Sequence, residues 1–252
     1  MHSNSITILP IEGIPEVNQG DDLGKLLLSA VSMKDLSLES GDIIVVTQKI
    51  VSKSEGQVVY LSDVQPSVLA CEIASEHSRD PRHIEVVLRE SKRIVRMERG
   101  VIISETRHGF TCANAGVDAS NSSRTDSVCL LPADSDLSAL FIREHIRKAT
   151  GLDIAVIISD TFGRPWREGA VNVAIGLSGI GAHRDYRNKV DPIGYQLRTT
   201  SIAIVDELAS AAELVMNKLD RVPAAVIRGY AYTNDNRGIK PLIRPHEKDL
   251  FG

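Results

Sequence analysis

Apolar runs bounded by turn residues alternate along the chain with segments of helical periodicity, a pattern typical of a mixed α/β (α+β) fold. In the first third we expect strands at 6–14 and 41–52. A helix is expected between them at 21–31, where leucines recur at helical spacing behind two aspartates. Two more helices are expected after Pro66 and after the Asp80-Pro81 pair.

The rest of the chain continues this alternation. Residues 93–116 alternate apolar and polar positions around two glycine turns, which predicts two or three paired strands. A helix at 136–151, with Asp136 as its cap and Gly151 at its end, precedes the most apolar strand, 153–160. The remaining expected elements are a short strand at 127–132, a small-residue strand at 170–182, a strand running into a helix at 201–219, a strand at 223–229 and an irregular tail at 230–252.

Composition narrows the class of protein. The 252 residues, 42% of them hydrophobic, suffice for a single domain over 1–252 or for two intimate lobes. A net charge of −4 and only 4% aromatic residues argue against a nucleic-acid partner. Without a long apolar run or a leader-like N-terminus, we expect a cytoplasmic protein with no membrane partner. Three cysteines without metal-type spacing are expected to be buried free thiols.

Two aspartates that follow apolar runs are the first candidates for a site. Asp160 ends the most apolar strand, and open α/β sheets bind ligands at the carboxyl ends of such strands. Together with the hydroxyl of Thr161, its carboxylate offers the oxygen donors that a hard divalent cation prefers. Both aspartates also have structural alternatives. Asp160 can cap the next segment, and Asp118, in GVDASN, can form an Asx turn.

Cationic side chains near these runs are candidates for binding phosphate. Lys53 follows the expected strand at 41–52 and precedes a glycine, although a solvated lysine at a sheet edge is the alternative. Lys49, four residues earlier, is expected on the same face of this strand. Arg164 and Arg167 suit a phosphate or carboxylate clamp, or a surface cluster stacked on the neighbouring tryptophan. The sequence contains neither a P-loop nor a dinucleotide fingerprint nor a zinc-type histidine pair.

Six blocks of sequence then occur in a fixed order: ILPIEGIPEVNQGDDL, GDIIVVTQKIVSKSEG, NAGVDASN, IISDTFGRPWREG, DELASAAELVMNKL and PAAVIRG. Together they resemble the coenzyme F420-0:L-glutamate ligase (coenzyme F420 gamma-glutamyl ligase) family, from about residue 6 to residue 229. Because little sequence follows the last block, the resemblance is to the stand-alone form, without the flavin-reductase-like domain fused to it in some actinobacteria.

The resemblance implies a family-specific α/β ligase fold that forms a homodimer and is neither a P-loop nor an ATP-grasp fold. It implies a GTP-dependent enzyme that adds L-glutamate, and further γ-linked glutamates, to the terminal carboxylate of the deazaflavin precursor F420-0 through an acyl phosphate. Two alternatives stay open. One is a metal-dependent GTP-binding module without ligase activity, and the other is a ligase of the same chemistry acting on a different carboxylate.

The resemblance also implies site residues. Asp118, Asp160 and Thr161 are expected to hold Mg²⁺ or Mn²⁺, two ions in all, with K⁺ as a further candidate ion. The residues expected to contact GTP are Ile14, Pro15, Glu16, Val17, Gln48, Lys53, Asn121, Met216 and Asn217.

The second metal lacks an obvious ligand in this sequence. Its expected position falls on Lys218, which cannot ligate a metal while charged, so Asp220 or Glu207 would have to substitute, or water would complete the shell. As an acid in a first helical turn, Glu207 is also accounted for by the helix macrodipole alone. The residues expected to bind the acceptor are Arg164, Arg167 and Arg184.

Overall fold

The computed structural model describes residues 5–34, 36–119 and 126–249. Its α-helices are α1 (Leu23–Met33), α2 (Gln48–Ser54), α3 (Val68–His77), α4 (Pro81–Glu90), α5 (Ser135–Thr150) and α6 (Ile204–Met216). Its strands are β1 (Thr7–Pro10), β2 (Ile43–Thr47), β3 (Val58–Tyr60), β4 (Ser91–Glu98), β5 (Val101–Thr106), β6 (Thr111–Ala113), β7 (Ser127–Cys129), β8 (Ala155–Arg164), β9 (Arg167–Ser178), β10 (Arg184–Asp185), β11 (Ser201–Ile202) and β12 (Ala224–Arg228). The expected mixed α/β class is confirmed.

A five-stranded mixed sheet forms the centre of the fold, in the order β1-β12-β2-β8-β9. Among its neighbouring strands, β2 and β8 pair in parallel, from Ile43 opposite Ala155 to Thr47 opposite Ser159, and the other three pairings are antiparallel. The parallel pairing of both strands stops at the same end of the sheet, so the residues that follow the paired segments lie close together there. α2, which directly follows β2, therefore lies beside β8 near Asp160.

Alternating side chains of this sheet build two hydrophobic layers. Ile44, Val46, Val156 and Ile158 pack with apolar residues of α1 and α5, whereas Ile43, Val45, Ala155 and Ile157 pack with those of α6. The start of α5 lies very close to β9, since a Cβ added at Gly176 would lie 2.4 Å from the backbone of Ser135. Both faces of the sheet are therefore covered.

The middle of the chain forms a separate group of smaller elements. β4, β5 and β6 form an antiparallel sheet, as the alternation at 93–116 predicted, and β3 pairs with β7. With α3 and α4 these strands enclose a third hydrophobic cluster, whose members range from Leu61 to Val128. β6 belongs to this group and contacts β8 of the central sheet.

Several local expectations were wrong. The strand expected at 6–14 is confined to Thr7–Pro10. The strand expected at 41–52 ends at Thr47, and Gln48–Ser54 is a helix whose buried residues, Gln48, Val51 and Ser52, recur at helical spacing. The cap of α5 is Asp134, whose carboxylate accepts a hydrogen bond from the N–H of Leu137. Of the three cysteines, which are all free, Cys71 is exposed because α3 turns it outward.

Asp136 instead ties the tail to the core. Its carboxylate accepts hydrogen bonds from the N–H of Leu177 at 2.7 Å and from that of Ile239 at 3.0 Å. Within the described part of the tail only two short 3₁₀ turns form, Lys240–Leu242 and His246–Lys248, as the expectation of an irregular tail requires. The tail is irregular yet anchored. Among the described residues, no helix combines the length and the hydrophobicity that crossing a bilayer requires.

Candidate active site

Asp160 lies where the parallel pairing of β2 and β8 stops. The strand itself continues to Arg164, so the expectation that it ends at Asp160 was wrong, but a register shift against β9 occurs between Ile158 and Ser159. One Asp160 carboxylate oxygen accepts a hydrogen bond from the N–H of Thr161 at 2.8 Å. The carboxylate is therefore held at an irregular point of a buried strand, where the side chain is only partly exposed.

The environment makes Asp160 reluctant to ionise. Burial raises its pKa to about 6, and the charge of Asp118 adds to the rise. The N–H of Thr161 and the ammonium groups of Lys218 and Lys49 act in the opposite direction. The structure thus brings Asp118 and Asp160, hereafter the acidic pair, close enough to interact electrostatically.

Asp118 reaches the site from the smaller group of elements. Its backbone exchanges two hydrogen bonds with Cys129 at the end of β7, at 2.9 and 2.8 Å. Its carboxylate lies 2.7 Å from the Nζ of Lys49 in the first turn of α2. Because 21% of the Lys49 side chain and 38% of the Asp118 side chain are exposed, water only partly screens this ion pair. Lys49, for which the family resemblance implied no role, therefore lies beside the acidic pair.

A second lysine approaches the other half of the acidic pair. The ammonium of Lys218, which follows α6, donates a hydrogen bond to the hydroxyl of Thr161. That hydroxyl donates its own proton to Oδ1 of Asn172, at 2.7 Å on the adjacent strand β9. Asn172 is buried, so the orientation of the Thr161 hydroxyl is fixed from within the protein.

Two buried thiols adjoin the acidic pair. Burial raises the pKa of Cys112 to about 12, and the charge of Asp160 contributes to the rise. Burial also raises the pKa of Cys129, which feels the charges of Lys49, Asp118 and Lys53. Both thiols therefore stay protonated at neutral pH and act as small apolar groups behind the carboxylates.

The first expected nucleotide segment meets Lys53. The Nζ of Lys53 lies 2.5 Å from a carboxylate oxygen of Glu16, and Lys53 occupies the last turn of α2, one helical turn beyond Lys49. Of the neighbouring residues in this segment, Pro15 is exposed, whereas Ile14 and Val17 pack into the core. The exposed part of the segment is therefore limited to Pro15 and Glu16.

The other residues that were expected to contact GTP lie in different environments. Gln48 is buried, and its amide donates a hydrogen bond to the carbonyl of Leu130 at 2.9 Å. Met216 belongs to the core, while Asn217 turns the chain at a positive φ of 51° after α6. Asn121 lies outside the described residues.

The substitutes expected for the second metal ligand are not at the acidic pair. Asp220 accepts a hydrogen bond from the amide of Asn217 at 2.8 Å, in an exposed turn. Glu207 lies in the first turn of α6, nine residues before Met216, which is about 14 Å along the helix axis. The side chain that does reach this place is Lys218.

The three expected acceptor arginines lie at two places. Arg164 and Arg167 are paired opposite each other at the tip of the β8–β9 hairpin. Arg164 donates to the carbonyls of Glu168 and Gly169, within that hairpin. Arg184, on β10, lies over the ring of Tyr230 with its guanidinium carbon 4.9 Å from the ring centroid.

Comparison with known proteins identifies the chain's relatives. The profile of the F420-0:Gamma-glutamyl ligase family matches residues 13–229. The chain belongs to this family. It is 46% identical to the coenzyme F420:L-glutamate ligase of Methanothermobacter thermautotrophicus over 98% of both chains. It is 46% identical to the enzyme of that name from Methanocaldococcus jannaschii over 85% of this chain and 86% of that one, and 42% identical to the Methanopyrus kandleri enzyme over 96% and 97%.

The donor atoms at the acidic pair suit one hard divalent cation. Two carboxylates and a fixed hydroxyl are oxygen ligands of the kind that Mg²⁺ and Mn²⁺ prefer. Within the described ranges, no group of three or more His, Cys, Asp or Glu side chains is arranged to hold a metal. A cation held here would therefore need further oxygen ligands besides these two carboxylates and the hydroxyl.

Sequence reasoning missed two members of this site. Asn172 carried a usable signal, because it is an amide inside the otherwise small and apolar strand sequence AVNVAIG. A buried polar side chain requires a partner, and Thr161 is that partner. Lys49 carried no local signal, since its partner Asp118 is 69 positions away in the sequence.

Proposed function

We propose that this member of the family is the GTP-dependent ligase that adds L-glutamate, and then further γ-linked glutamates, to the terminal carboxylate of F420-0. The observation that carries the proposal is the acidic pair with the ammonium groups of Lys49 and Lys218 beside it, in a chain related to coenzyme F420:L-glutamate ligases over nearly its whole length. This arrangement suits the binding and transfer of phosphate.

Forming an amide from a carboxylate requires activation, because a carboxylate oxygen is a poor leaving group. In the proposed reaction a carboxylate oxygen of F420-0 attacks the γ-phosphorus of GTP, and the bond from that phosphorus to the β–γ bridging oxygen breaks, releasing GDP. The amino nitrogen of glutamate then attacks the acyl carbon. Inorganic phosphate leaves with its oxygen, and the nitrogen loses a proton.

The chain's own residues would position and neutralise the phosphates in these steps. Asp118, Asp160 and Thr161 would hold the divalent cation, which supplies positive charge to the β- and γ-phosphates when bound. Lys49 and Lys53 lie one helical turn apart on α2. Both can exchange a carboxylate partner for a phosphate oxygen, and phosphoryl transfer depends mainly on such positioning and charge neutralisation.

We also propose that the enzyme is a homodimer. β9 is the outer strand of the central sheet, and it is hydrogen-bonded to β8 alone in the part of the chain that the structure describes. Its hairpin with β8 carries Trp166, a residue that is 77% exposed. An outer strand with an exposed tryptophan at its turn is a reasonable surface for a second subunit.

The test is a reconstituted reaction. The protein is incubated with GTP, Mg²⁺, L-glutamate and F420-0, and the products are read by mass spectrometry together with GDP release. We expect product masses increased by one or more glutamyl units, with one GDP released for each unit. The Lys148→Met variant, changed on the remote last turn of α5, should match the wild type.

Two other outcomes would select the alternatives. Binding of GTP without any glutamate-dependent release of phosphate would mean a GTP-binding module. Glutamate- and GTP-dependent phosphate release only with a different carboxylate in place of F420-0 would mean a ligase of the same chemistry with another acceptor.

A further inference from the structure

A lysine stands where a second cation of the site is expected. Lys218 approaches Thr161 from the end of α6, and its ammonium donates to the side of the hydroxyl that carries the lone pairs. The hydroxyl donates its proton in a hydrogen bond to Oδ1 of the buried Asn172. A divalent cation bound to Thr161 from that side would need the same lone pairs and the same space.

The backbone directs Lys218 to this place. α6 ends at Met216, and Asn217 adopts a positive φ of 51° with an extended ψ of 177°, which turns the chain sharply. The side chain of Lys218 then crosses to β8, while the amide of Asn217 is hydrogen-bonded to Asp220. The turn therefore presents the lysine to the acidic pair and keeps Asp220 in the exposed turn.

The net charge of the site also favours a single divalent cation. The acidic pair carries −2, and one divalent cation would neutralise it. The ammonium groups of Lys49 and Lys218 would then leave +2 to face the phosphates of a nucleotide. A second divalent cation beside Lys218 would place two positive charges next to a third, which is unfavourable unless the lysine moves away.

We propose that the ammonium of Lys218 takes the place of a second divalent cation, so that the nucleotide phosphates lie between one cation, held by the acidic pair, and this ammonium. The inference rests on the proposed function, because it needs a bound nucleotide. It assigns Lys218 a direct role in nucleotide binding, and it sets the ratio of cation to nucleotide at one.

The test counts metal ions, so it does not depend on turnover. Mn²⁺ is titrated into the protein in the presence of the non-hydrolysable analogue guanylyl imidodiphosphate, and bound Mn²⁺ is counted by electron paramagnetic resonance while calorimetry measures the affinity for the analogue. We expect one Mn²⁺ per bound analogue in the wild type. Lys218→Met should keep that ratio and weaken analogue binding roughly 10- to 100-fold, as expected when a hydrogen bond to a charged group is lost.

Two more variants sharpen the result. Lys218→Arg should recover part of the affinity, because it restores the charge with a different shape. Lys218→Glu should raise the ratio to two Mn²⁺ per analogue, because a carboxylate then replaces the ammonium. Lys148→Met, a lysine replacement of the same chemistry on α5, should change neither the count nor the affinity.

The results that would overturn the inference are distinct from a failure of the proposed function. A ratio of two Mn²⁺ per analogue in the wild type would contradict the inference and leave the function standing. An unchanged affinity of Lys218→Met for the analogue would also contradict the inference and leave the function standing. The same holds if folded Lys218→Glu still binds one Mn²⁺ per analogue. If the wild type binds Mn²⁺ but neither guanine nor adenine nucleotides, the nucleotide-dependent function fails, and the inference fails with it.

Discussion

Replacing Asp160 with asparagine should stabilise the metal-free protein while it removes function. Burial raises the pKa of Asp160 from its ordinary value of 3.8 to about 6. Asparagine has nearly the same shape, stays neutral at every pH and can still accept the hydrogen bond from the N–H of Thr161, at 2.8 Å in the wild type. The variant therefore avoids the cost of ionising a buried carboxylate.

The size of this stabilisation and its pH dependence follow from the linkage between proton binding and folding. Because the folded pKa is raised, the contribution of Asp160 to stability is fully present below about pH 4 and is lost as pH rises through about 6. The difference between the two pKa values corresponds to about 3 kcal/mol, as an upper value, once both states are ionised. Asp160→Asn should thus exceed the wild type by about 1 to 3 kcal/mol at pH 8, and the gain should shrink toward pH 4.

Urea denaturation followed by circular dichroism, with EDTA present, measures this difference at pH 4.5 and pH 8. Adding Mg²⁺ and guanylyl imidodiphosphate at pH 8 should reverse the order. Ligand at about 1,000 times its dissociation constant stabilises the wild type by about 4.1 kcal/mol, which exceeds the expected advantage of the variant, and the variant should gain little. Asp220→Asn, in the exposed turn after α6, is the matched control and should stay within about 0.5 kcal/mol.

One result would refute this reasoning about Asp160. If Asp160→Asn is less stable than the wild type at pH 8 in EDTA, the attraction of Lys49 and Lys218 for the carboxylate outweighs its burial. The raised pKa would then have the wrong direction. In that case the site would be an ordinary stabilising ion-pair cluster, and the argument that its carboxylate is held ready for a cation would lose its physical basis.

Four further outcomes are expected. Asp118→Asn should fold normally but lower turnover at least about 100-fold, and steady-state kinetics at saturating Mg²⁺ would contradict this by giving near wild-type rates. Lys53→Ala should lower kcat/KM for GTP, by an amount equivalent to a loss of about 2 to 4 kcal/mol of transition-state stabilisation. Lys49→Ala should also lower kcat/KM, because it removes the partner of Asp118. Unchanged kcat/KM in both variants would mean that the phosphates bind elsewhere. Light scattering should give twice the 27.4 kDa of one chain, and a monomer mass at micromolar concentration would rule out the dimer.

The larger elements were predictable because their patterns are long. α1 and α5 carry several turns of apolar periodicity with an aspartate cap, and β8 begins with a continuous apolar run. α2 was missed because it has only seven residues, and its Ile50 and Val51 directly extend the apolar run of β2. A short helix that begins inside an apolar run can be distinguished from a longer strand only by the partners it packs against.

The acidic pair was predictable as chemistry but not as geometry. Each aspartate follows an apolar run and suggests a ligand site by itself, yet the two come from different groups of elements. The electrostatic effect of Asp118 on Asp160, and the ion pairs that surround them, depend on how β6 and Asp118 are placed against β8 of the central sheet. Such placements are tertiary, so no local pattern encodes them.

Lys49 shows how an error in local structure becomes an error about function. A strand would have placed Lys49 and Lys53 about 13 Å apart on one face, and the family resemblance implied no role for Lys49. The helix places them about 6 Å apart along its axis, again on one side. They therefore reach neighbouring acids, Lys49 that of Asp118 and Lys53 that of Glu16. A substitution at Lys49 cannot serve as a control, because it would change the charge beside the acidic pair itself.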